Sequence, residues 1–271
     1  MRRKHFPGMS HEPERLEGGN VNQVERRGDR VHRTAGPWTS TIHALLRHAR
    51  VNGVAWIPEP FGLDDKGREI LEFLPGEVPH AMPAWVWMES VLEAIGKALR
   101  QWHDAAASFP RDGAVWNFPA VEPVETICHN DFAPYNCVFR DGRFSGAIDF
   151  DFCAPGPRVR DLAWAAYRFV PLQPTPEEDV EDGGNERSPF PVSSMGRRLA
   201  LFLDEYAQGD EALRPALPDF LLAVAERLEE VARWTSAHAA ENPDSPLVGH
   251  ARMYRAHALW LRSGGMASLQ S

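Results

Sequence analysis

The chain has 271 residues, 43% of them hydrophobic and 25% charged, the composition of an ordinary soluble globular protein able to build one large or two modest cores. Its net charge of -9 argues against bulk attraction to nucleic-acid phosphates or an anionic membrane, so neither is expected as a partner. Three cysteines, Cys128, Cys137 and Cys153, cannot all pair internally and match no zinc-site spacing; they are expected as small apolar residues on buried strands in a reducing, cytoplasmic setting.

Residues 1–12 are expected as a flexible tail, in which Arg2, Arg3 and Lys4 have no apolar stretch behind them and so do not make a secretory signal. No apolar run approaches the ~20 residues needed to cross a bilayer. From residue 13 to 74 the chain reads as short strands with one helix. A strand around Arg15–Val24 contains Gly18 and Gly19 at a bend, and the turn Arg27-Gly28-Asp29 leads into a strand at Arg30-Val31-His32-Arg33. Thr39 or Ser40 is expected to cap a helix through Ile42, Leu45, Leu46 and Ala49. A second hairpin joins Phe61-Gly62-Leu63 to Ile70–Leu74 across Asp64-Asp65-Lys66-Gly67.

Leu74-Pro75-Gly76 ends that strand, and a lobe boundary is placed there because the remainder, 75–271, is dominated by long helices. One helix is expected from Trp85 to His103, with Val86, Met88, Val91, Leu92, Ile95, Leu99 and Trp102 along one stripe. Others are expected over 220–234, with Asp219 as N-cap, and over 246–261. Between the first of these helices and the other two, 171–196 carries Glu177, Glu178, Asp179, Glu181, Asp182 and Glu186 among Pro and Gly residues. It is expected as a mobile solvated linker, with an acidic lip for a cationic substrate as the alternative.

The chemistry concentrates in His129-Asn130-Asp131-Phe132-Ala133-Pro134-Tyr135-Asn136 and the hairpin that follows, which turns at Asp141-Gly142 and ends in Ala147-Ile148-Asp149. With Asp141-Gly142 as a two-residue turn, Arg140 pairs with Arg143, Phe139 with Phe144 and Asn136 with Ala147. Asp149 then becomes the diagonal neighbour of Asn136 on one face of the hairpin. An amide oxygen and a carboxylate placed so suit Mg²⁺, while Asp131 is free to orient a hydroxyl and take its proton. The spacing of His129, Asp131 and Asn136 is that of H-R-D-x-x-x-x-N, and Asp149-Phe150-Asp151 stands where D-F-G follows.

On those residues, together with Arg160-Asp161-Leu162-Ala163-Trp164 and Glu72-Phe73-Leu74-Pro75-Gly76-Glu77, the chain resembles the aminoglycoside phosphotransferase and choline kinase family over most of its length. The resemblance implies an α+β, protein-kinase-like bilobal fold: a small antiparallel-sheet N-lobe over 13–74 and a larger, mainly helical C-lobe over 75–271. It also implies ATP, with GTP left open, and Mg²⁺ as cofactors, and transfer of the γ-phosphate to a hydroxyl of a small molecule such as an aminoglycoside, a choline-like alcohol or a related metabolite; a cationic acceptor is among the candidates. By the same resemblance Asp131 is the catalytic base, Asn136 and Asp149 hold the metal, and the backbone at Phe73 and Leu74 holds adenine. His129, Asp151 and Asp161 support the loop.

The N-terminal part departs from that family. No lysine occupies the third strand, so Arg33 is the candidate phosphate contact, and the following helix offers His43 and His48 where a glutamate is sought. Gly18 and Gly19 are candidates for draping backbone N–H groups over phosphates, although no complete glycine-rich phosphate motif is present. These departures keep open a non-catalytic reading, a nucleotide-binding or toxin-sequestering immunity protein on a degenerate kinase scaffold. A glycoside hydrolase built on Asp131 and Asp149 leaves Asn136 without a task. The helical region from Arg197 onwards, with the loop before it, is expected to form the acceptor pocket. The oligomeric state is left open.

Overall fold

A computed structural model describes residues 14–15, 24–79, 81–176, 187–239 and 247–265. Gly18, Gly19, the whole expected 1–12 tail and the acidic residues of 177–186 lie outside them. Short strands β1 (Glu14–Arg15), β2 (Glu25–Arg27), β3 (Arg30–Arg33), β4 (Pro60–Leu63) and β5 (Glu69–Glu72) form one antiparallel sheet in the order β1-β2-β3-β5-β4. The β2–β3 turn uses Gly28 at φ 62°, a left-handed position suited to glycine. In the β3–β5 register Arg33 stands directly opposite Glu69. Paired residues share a face, so a cation and an anion meet there without any long-range adjustment.

Helix α1 (Thr39–Val51) buries Ile42, Leu45, Leu46 and Ala49, the stripe read from the sequence. Its cap differs from expectation. Trp38 takes the N-cap position, and Thr39, already inside the helix, accepts the Gly36 N–H on Oγ1 at 2.9 Å. The expected helix from Trp85 to His103 is divided: a 3₁₀ turn spans Ala84–Trp87, Met88 is extended, and α2 runs Glu89–Ala107. The carbonyl of Trp87, freed by the break, accepts from Arg198 at 2.8 Å, so the interruption leaves no buried acceptor unmet there.

Beyond α2 lie β6 (Thr126–Cys128), β7 (Cys137–Arg140), β8 (Arg143–Ala147) and β9 (Ala154–Gly156), paired β6 with β9 and β7 with β8. Helices α3 (Arg158–Phe169), α4 (Val192–Ala207), α5 (Leu217–Ala239) and α6 (Leu247–Trp260) complete the described elements. Asp219 lies inside the first turn of α5 rather than capping it, where its carboxylate still favours the helix N-terminus. Of the loop expected over 171–196, residues 171–175 are buried rather than solvated, and α4 begins at Val192 immediately after Pro191. Proline there presets the entry angle without breaking a helical hydrogen bond.

One apolar core joins these elements, with Leu45 and Leu46 of α1, Ile95, Leu99 and Trp102 of α2, Phe202 of α4, and Phe220 and Val224 of α5. Cys128, Cys137 and Cys153 are all free and buried, and burial pushes each thiol up, as expected for apolar packing residues. No helix among the described residues is long and apolar enough to cross a membrane.

Gly146 on β8 fixes how close the β7–β8 hairpin comes to the segment before β4. A Cβ there would stand 2.6 Å from the Trp56 carbonyl oxygen, while the neighbouring Ala147 N–H donates to that same oxygen at 3.2 Å. Overpacking against an immovable backbone typically costs about 1–3 kcal/mol, against a gain below about 1 kcal/mol for replacing strand glycine by alanine. Gly146→Ala is therefore expected to lower the urea midpoint of unfolding; an unchanged or raised midpoint would contradict this close approach.

Candidate active site

Strand β6 delivers the chain to His129, Asn130 and Asp131. Asn130 adopts φ 66°, left-handed geometry that Asn tolerates better than most residues, and this swings the chain out of the strand. Asp161, on α3, takes up the two backbone groups at this bend: Oδ2 accepts the His129 N–H and Oδ1 the Asn130 N–H, each at 2.6 Å. His103 Nε2 also reaches Asp161 Oδ2, at 3.0 Å. Burial alone would raise the Asp161 carboxyl, but the hydrogen bond and charge of His103 and the His129 contacts outweigh it and hold the group below its ordinary value.

His129 is wholly buried, packed against Phe132 and Phe150, with Nε2 3.3 Å from the Ile148 carbonyl oxygen. Burial lowers its imidazole pKa, keeping the ring neutral. The Asp131 carboxylate is held by three donors. Tyr135 Oη donates to Oδ1 at 2.7 Å, Trp164 Nε1 to Oδ1 at 3.0 Å, and Asn136 Nδ2 to Oδ2 at 2.8 Å. Desolvation and the nearby Asp149 charge nevertheless prevail over these donors and push the Asp131 pKa up to about 6.

The hairpin differs from the expected register. Its turn is as read, with Asp141 at φ 50° and Gly142 at φ 69°, both positive as a type I′ turn requires. Arg140 pairs with Arg143 and Phe139 with Phe144, but Val138 then faces Gly146 and Cys137 faces Ala147. Ser145 is the additional residue of a β-bulge, which shifts the count by one. Asn136 consequently leaves the strand and closes a 3₁₀ turn, Pro134–Asn136, while Asp149 lies beyond β8 at φ 62°. Diagonal strand pairing is thus corrected. What links the two segments is the Ile148 N–H, donating to the Asn136 carbonyl oxygen at 2.9 Å.

Arg33 reaches this hairpin from β3. Its Nε bonds Glu69, Nη1 bonds Asp149 Oδ1 at 2.8 Å and Nη2 bonds Asp151 Oδ1 at 2.5 Å. Burial would lower the guanidinium pKa, but Asp149, Asp151 and Glu69 raise it further, so Arg33 stays charged. Glu69 also accepts from His43 Nε2 of α1, at 3.0 Å. A strand glutamate and a helix histidine therefore share the place in which a helix glutamate was sought. Asp151 is pushed up to about 6, chiefly by burial and by the charges of Asp149 and Glu69, against the opposing pull of Arg33.

Of the adenine candidates, Phe73 has its N–H committed to the Asp29 carbonyl at 2.9 Å and its ring under the Arg26 guanidinium. Among the described residues this narrows the backbone expectation toward Leu74. Hard oxygen donors remain for a magnesium ion: Asn136 spends its amide nitrogen on Asp131, leaving Oδ1, and Asp149 engages Arg33 through Oδ1, leaving Oδ2. That donor set fits Mg²⁺, which needs few protein oxygens and keeps water and phosphate ligands.

A cavity of about 260 Å³ opens beside Asp131, walled by Tyr135, Trp164, Trp234 and Tyr254 with Arg227 and Glu230. It is built from the catalytic loop, α3, α5 and α6, with Phe118 and Pro119 at one side. Helix α4, expected in this wall, instead packs on α2. Sequence reasoning missed Glu69, Tyr135, Trp164, Arg227 and Glu230. Tyr135, inside the D-x-x-x-x-N stretch, and Trp164, inside the stretch Arg160–Trp164, each had a local signal.

Comparison with known proteins bears on the family and the fold. The profile of the phosphotransferase enzyme family matches residues 114–189, which contain the loop 129–136, the hairpin and α3. The trifolitoxin immunity protein of Rhizobium leguminosarum bv. trifolii is 38% identical over 198 residues, 70% of this chain and 72% of that protein. A choline/ethanolamine kinase family protein from Mesorhizobium loti superposes with a TM-score of 0.64 at 17% identity, covering 97% of this chain and 94% of that one. The aminoglycoside phosphotransferase APH(2'')-IIa, solved as a ternary complex with streptomycin and ATP, gives 0.54 at 14% identity, covering 90% and 93%. These likenesses establish a kinase-like fold, and with the matched profile and the 38% identical relative the chain belongs to the phosphotransferase enzyme family.

Proposed function

We propose that this protein is an ATP- and magnesium-dependent phosphotransferase that modifies a hydroxyl on a small molecule or toxin and thereby protects the cell that makes it. The observation that carries the reading is the setting of Asp131. Its carboxylate lies at the wall of the cavity, is oriented by Tyr135, Trp164 and Asn136, and titrates near the pH at which a base must work.

In this mechanism the acceptor hydroxyl enters the cavity and hydrogen-bonds to Asp131. Its oxygen forms the new bond to the γ-phosphorus, the bond from that phosphorus to the bridging oxygen breaks, the proton passes to Asp131, and ADP leaves. No covalent bond to the enzyme forms. Asn136 and Asp149 would hold Mg²⁺, which when bound supplies positive charge to the phosphate oxygens. Arg33 keeps a permanent charge beside Asp149, Asp161 fixes the backbone on which Asp131 rides, and Leu74 offers main-chain groups to the base.

A second reading, capture of nucleotide or toxin without turnover, is favoured by one observation: the guanidinium of Arg33 is already engaged by Glu69, Asp149 and Asp151, whose negative charges compensate its own. The name of the 38% identical relative suits either reading, because immunity follows from modifying a toxin or from holding it.

A magnesium-dependent ATP-consumption screen over hydroxylated amines, antibiotics, sugars and toxin peptides separates the two. Phosphorylated product is expected, and Asp131→Ala should reduce kcat by about 100- to 10,000-fold with ATP binding retained. Tight Mg–ATP binding with no product on any acceptor would favour capture, and full turnover in Asp131→Ala would remove Asp131 from the chemistry.

Acid sensitivity follows from the same residue. Only the ionised carboxylate can accept a proton, so kcat/KM should fall as pH drops through about 6, by about tenfold per unit below it. A profile flat between pH 5 and 8, on the order of those values, would exclude Asp131 as the base.

A further inference from the structure

Asn130 is the pivot between buried His129 and Asp131, and every polar group it has is engaged. Besides the N–H held by Asp161, its Nδ2 donates to the Phe152 carbonyl at 2.8 Å, its Oδ1 accepts from Arg160 Nε at 2.6 Å, and its carbonyl oxygen accepts from Arg227 Nη2 at 2.8 Å. The two arginines come from different helices, Arg160 from α3 and Arg227 from α5, and both are buried. They converge on one carboxylate. Arg160 places Nη1 and Nη2 on the two oxygens of Glu230 at 2.5 and 2.6 Å, and Arg227 Nη1 adds a bond to Oε2 at 2.9 Å.

Stability alone does not account for this cluster. Both guanidinium groups are buried while the Glu230 side chain is 33% exposed, and ion clusters desolvated in this way are commonly neutral or unfavourable relative to packed apolar residues of similar size, because desolvation consumes the Coulombic gain. What the arrangement does provide is geometry. Arg160 spends both terminal nitrogens on Glu230 and its Nε on Asn130, and Arg227 spends one arm on each, so the position of Asn130 is triangulated from two helices by donors that cannot rotate independently. A left-handed non-glycine residue persists only where its surroundings over-determine it, and Asn130 is held on its amide, its side chain and its carbonyl. Arg227 and Glu230 also line the cavity with Asn130 and Asp131, so the helix that holds the loop is the one that bounds the acceptor's space.

We infer that Arg160, Arg227 and Glu230 form a positioning clamp that fixes Asn130 and thereby sets where the Asp131 carboxylate stands relative to the cavity. The catalytic consequence rests on the phosphotransferase reading, whereas the mechanical consequence does not. The clamp residues act through Asn130 and take no part in proton or phosphoryl transfer.

The test compares the full-length chain with Arg160→Met/Arg227→Met/Glu230→Leu, which removes all three charges and leaves none buried alone, and with Arg227→Lys, which keeps the charge but loses the fork. Three quantities are read: the urea midpoint, amide hydrogen exchange over 128–136 against exchange in α2 and α4, and release of phosphate from Mg–ATP with water as acceptor. The triple variant is expected to change the midpoint little, because relief from desolvating the charges is offset by the donors lost to the Asn130 Oδ1 and carbonyl oxygens. Its exchange over 128–136 should quicken by about tenfold or more while α2 and α4 are unchanged. Its kcat for phosphate release should fall by about 100-fold, with KM for ATP within about twofold, and Arg227→Lys should lie between it and the unaltered chain on both measures. A folded triple variant with native exchange over 128–136, or with native kcat, overturns the clamp; should the triple variant not fold, native values in Arg227→Lys overturn it. An unaltered chain that releases no phosphate counts against the phosphotransferase reading instead, and the exchange comparison alone then decides the clamp.

Discussion

The structure around the candidate site depends on one buried guanidinium. Arg33 stands opposite Glu69 because the β3–β5 register puts it there, and from that place it reaches Asp149 and Asp151 beyond the β7–β8 hairpin. A buried cation is tolerated only when it is paired, and removing one partner of such a pair typically costs about 3–5 kcal/mol. The sheet and the segment after the hairpin are therefore tied by a contact that neither can surrender cheaply. His43 binds the other Glu69 oxygen and brings α1 into the same assembly.

A second polar assembly serves the catalytic loop and follows different physics. Asp161, His129 and Asn130 are buried among apolar residues, where an unmet polar group carries its full desolvation cost. The loop meets that requirement with backbone N–H groups on Asp161 and with two arginines on Asn130, so the left-handed turn before Asp131 is held by hydrogen bonds as well as by packing. The apolar residues nearby, Phe132 and Phe150, fill the space around His129 and keep water from competing.

Between the two assemblies the electrostatics have a common sign. Asp131, Asp149 and Asp151 crowd together, and both Asp131 and Asp151 are raised to about 6, with Asp149 contributing to each shift. Crowded carboxylates are destabilising until a cation is supplied, and Arg33 supplies only one charge. The arrangement thus favours additional positive charge at Asn136 and Asp149, which is the physical content of the proposed magnesium site.

Much of this was legible along the chain. The α1 and α2 stripes, the β2–β3 turn, the β4–β5 hairpin and the Asp141-Gly142 turn follow from side-chain periodicity and from residues that accept positive φ, all local properties; the strand paired through the first turn is Glu25–Arg27, and the one expected around Arg15–Val24 lies mostly outside the described residues. The grouping of Asp131, Asn136 and Asp149 was legible because a short loop and one hairpin cannot carry them far apart. Helix limits were less so: Met88 interrupts a continuous apolar stripe, and Asp219 sits within a helix it resembles a cap for, since both boundaries answer to packing elsewhere.

What the sequence by itself determined, then, is local conformation and the chemistry of a few closely spaced residues, because dihedral preference and side-chain period act over a handful of positions. Only the tertiary structure decided that Ser145 bulges and moves Asn136 off the strand, that Glu69 and His43 serve Arg33, and that Arg160 and Arg227 meet at Asn130 from separate helices. Those contacts join residues between 26 and 97 positions apart, and nothing in local propensity ranks one such distant partner above another until the core has closed.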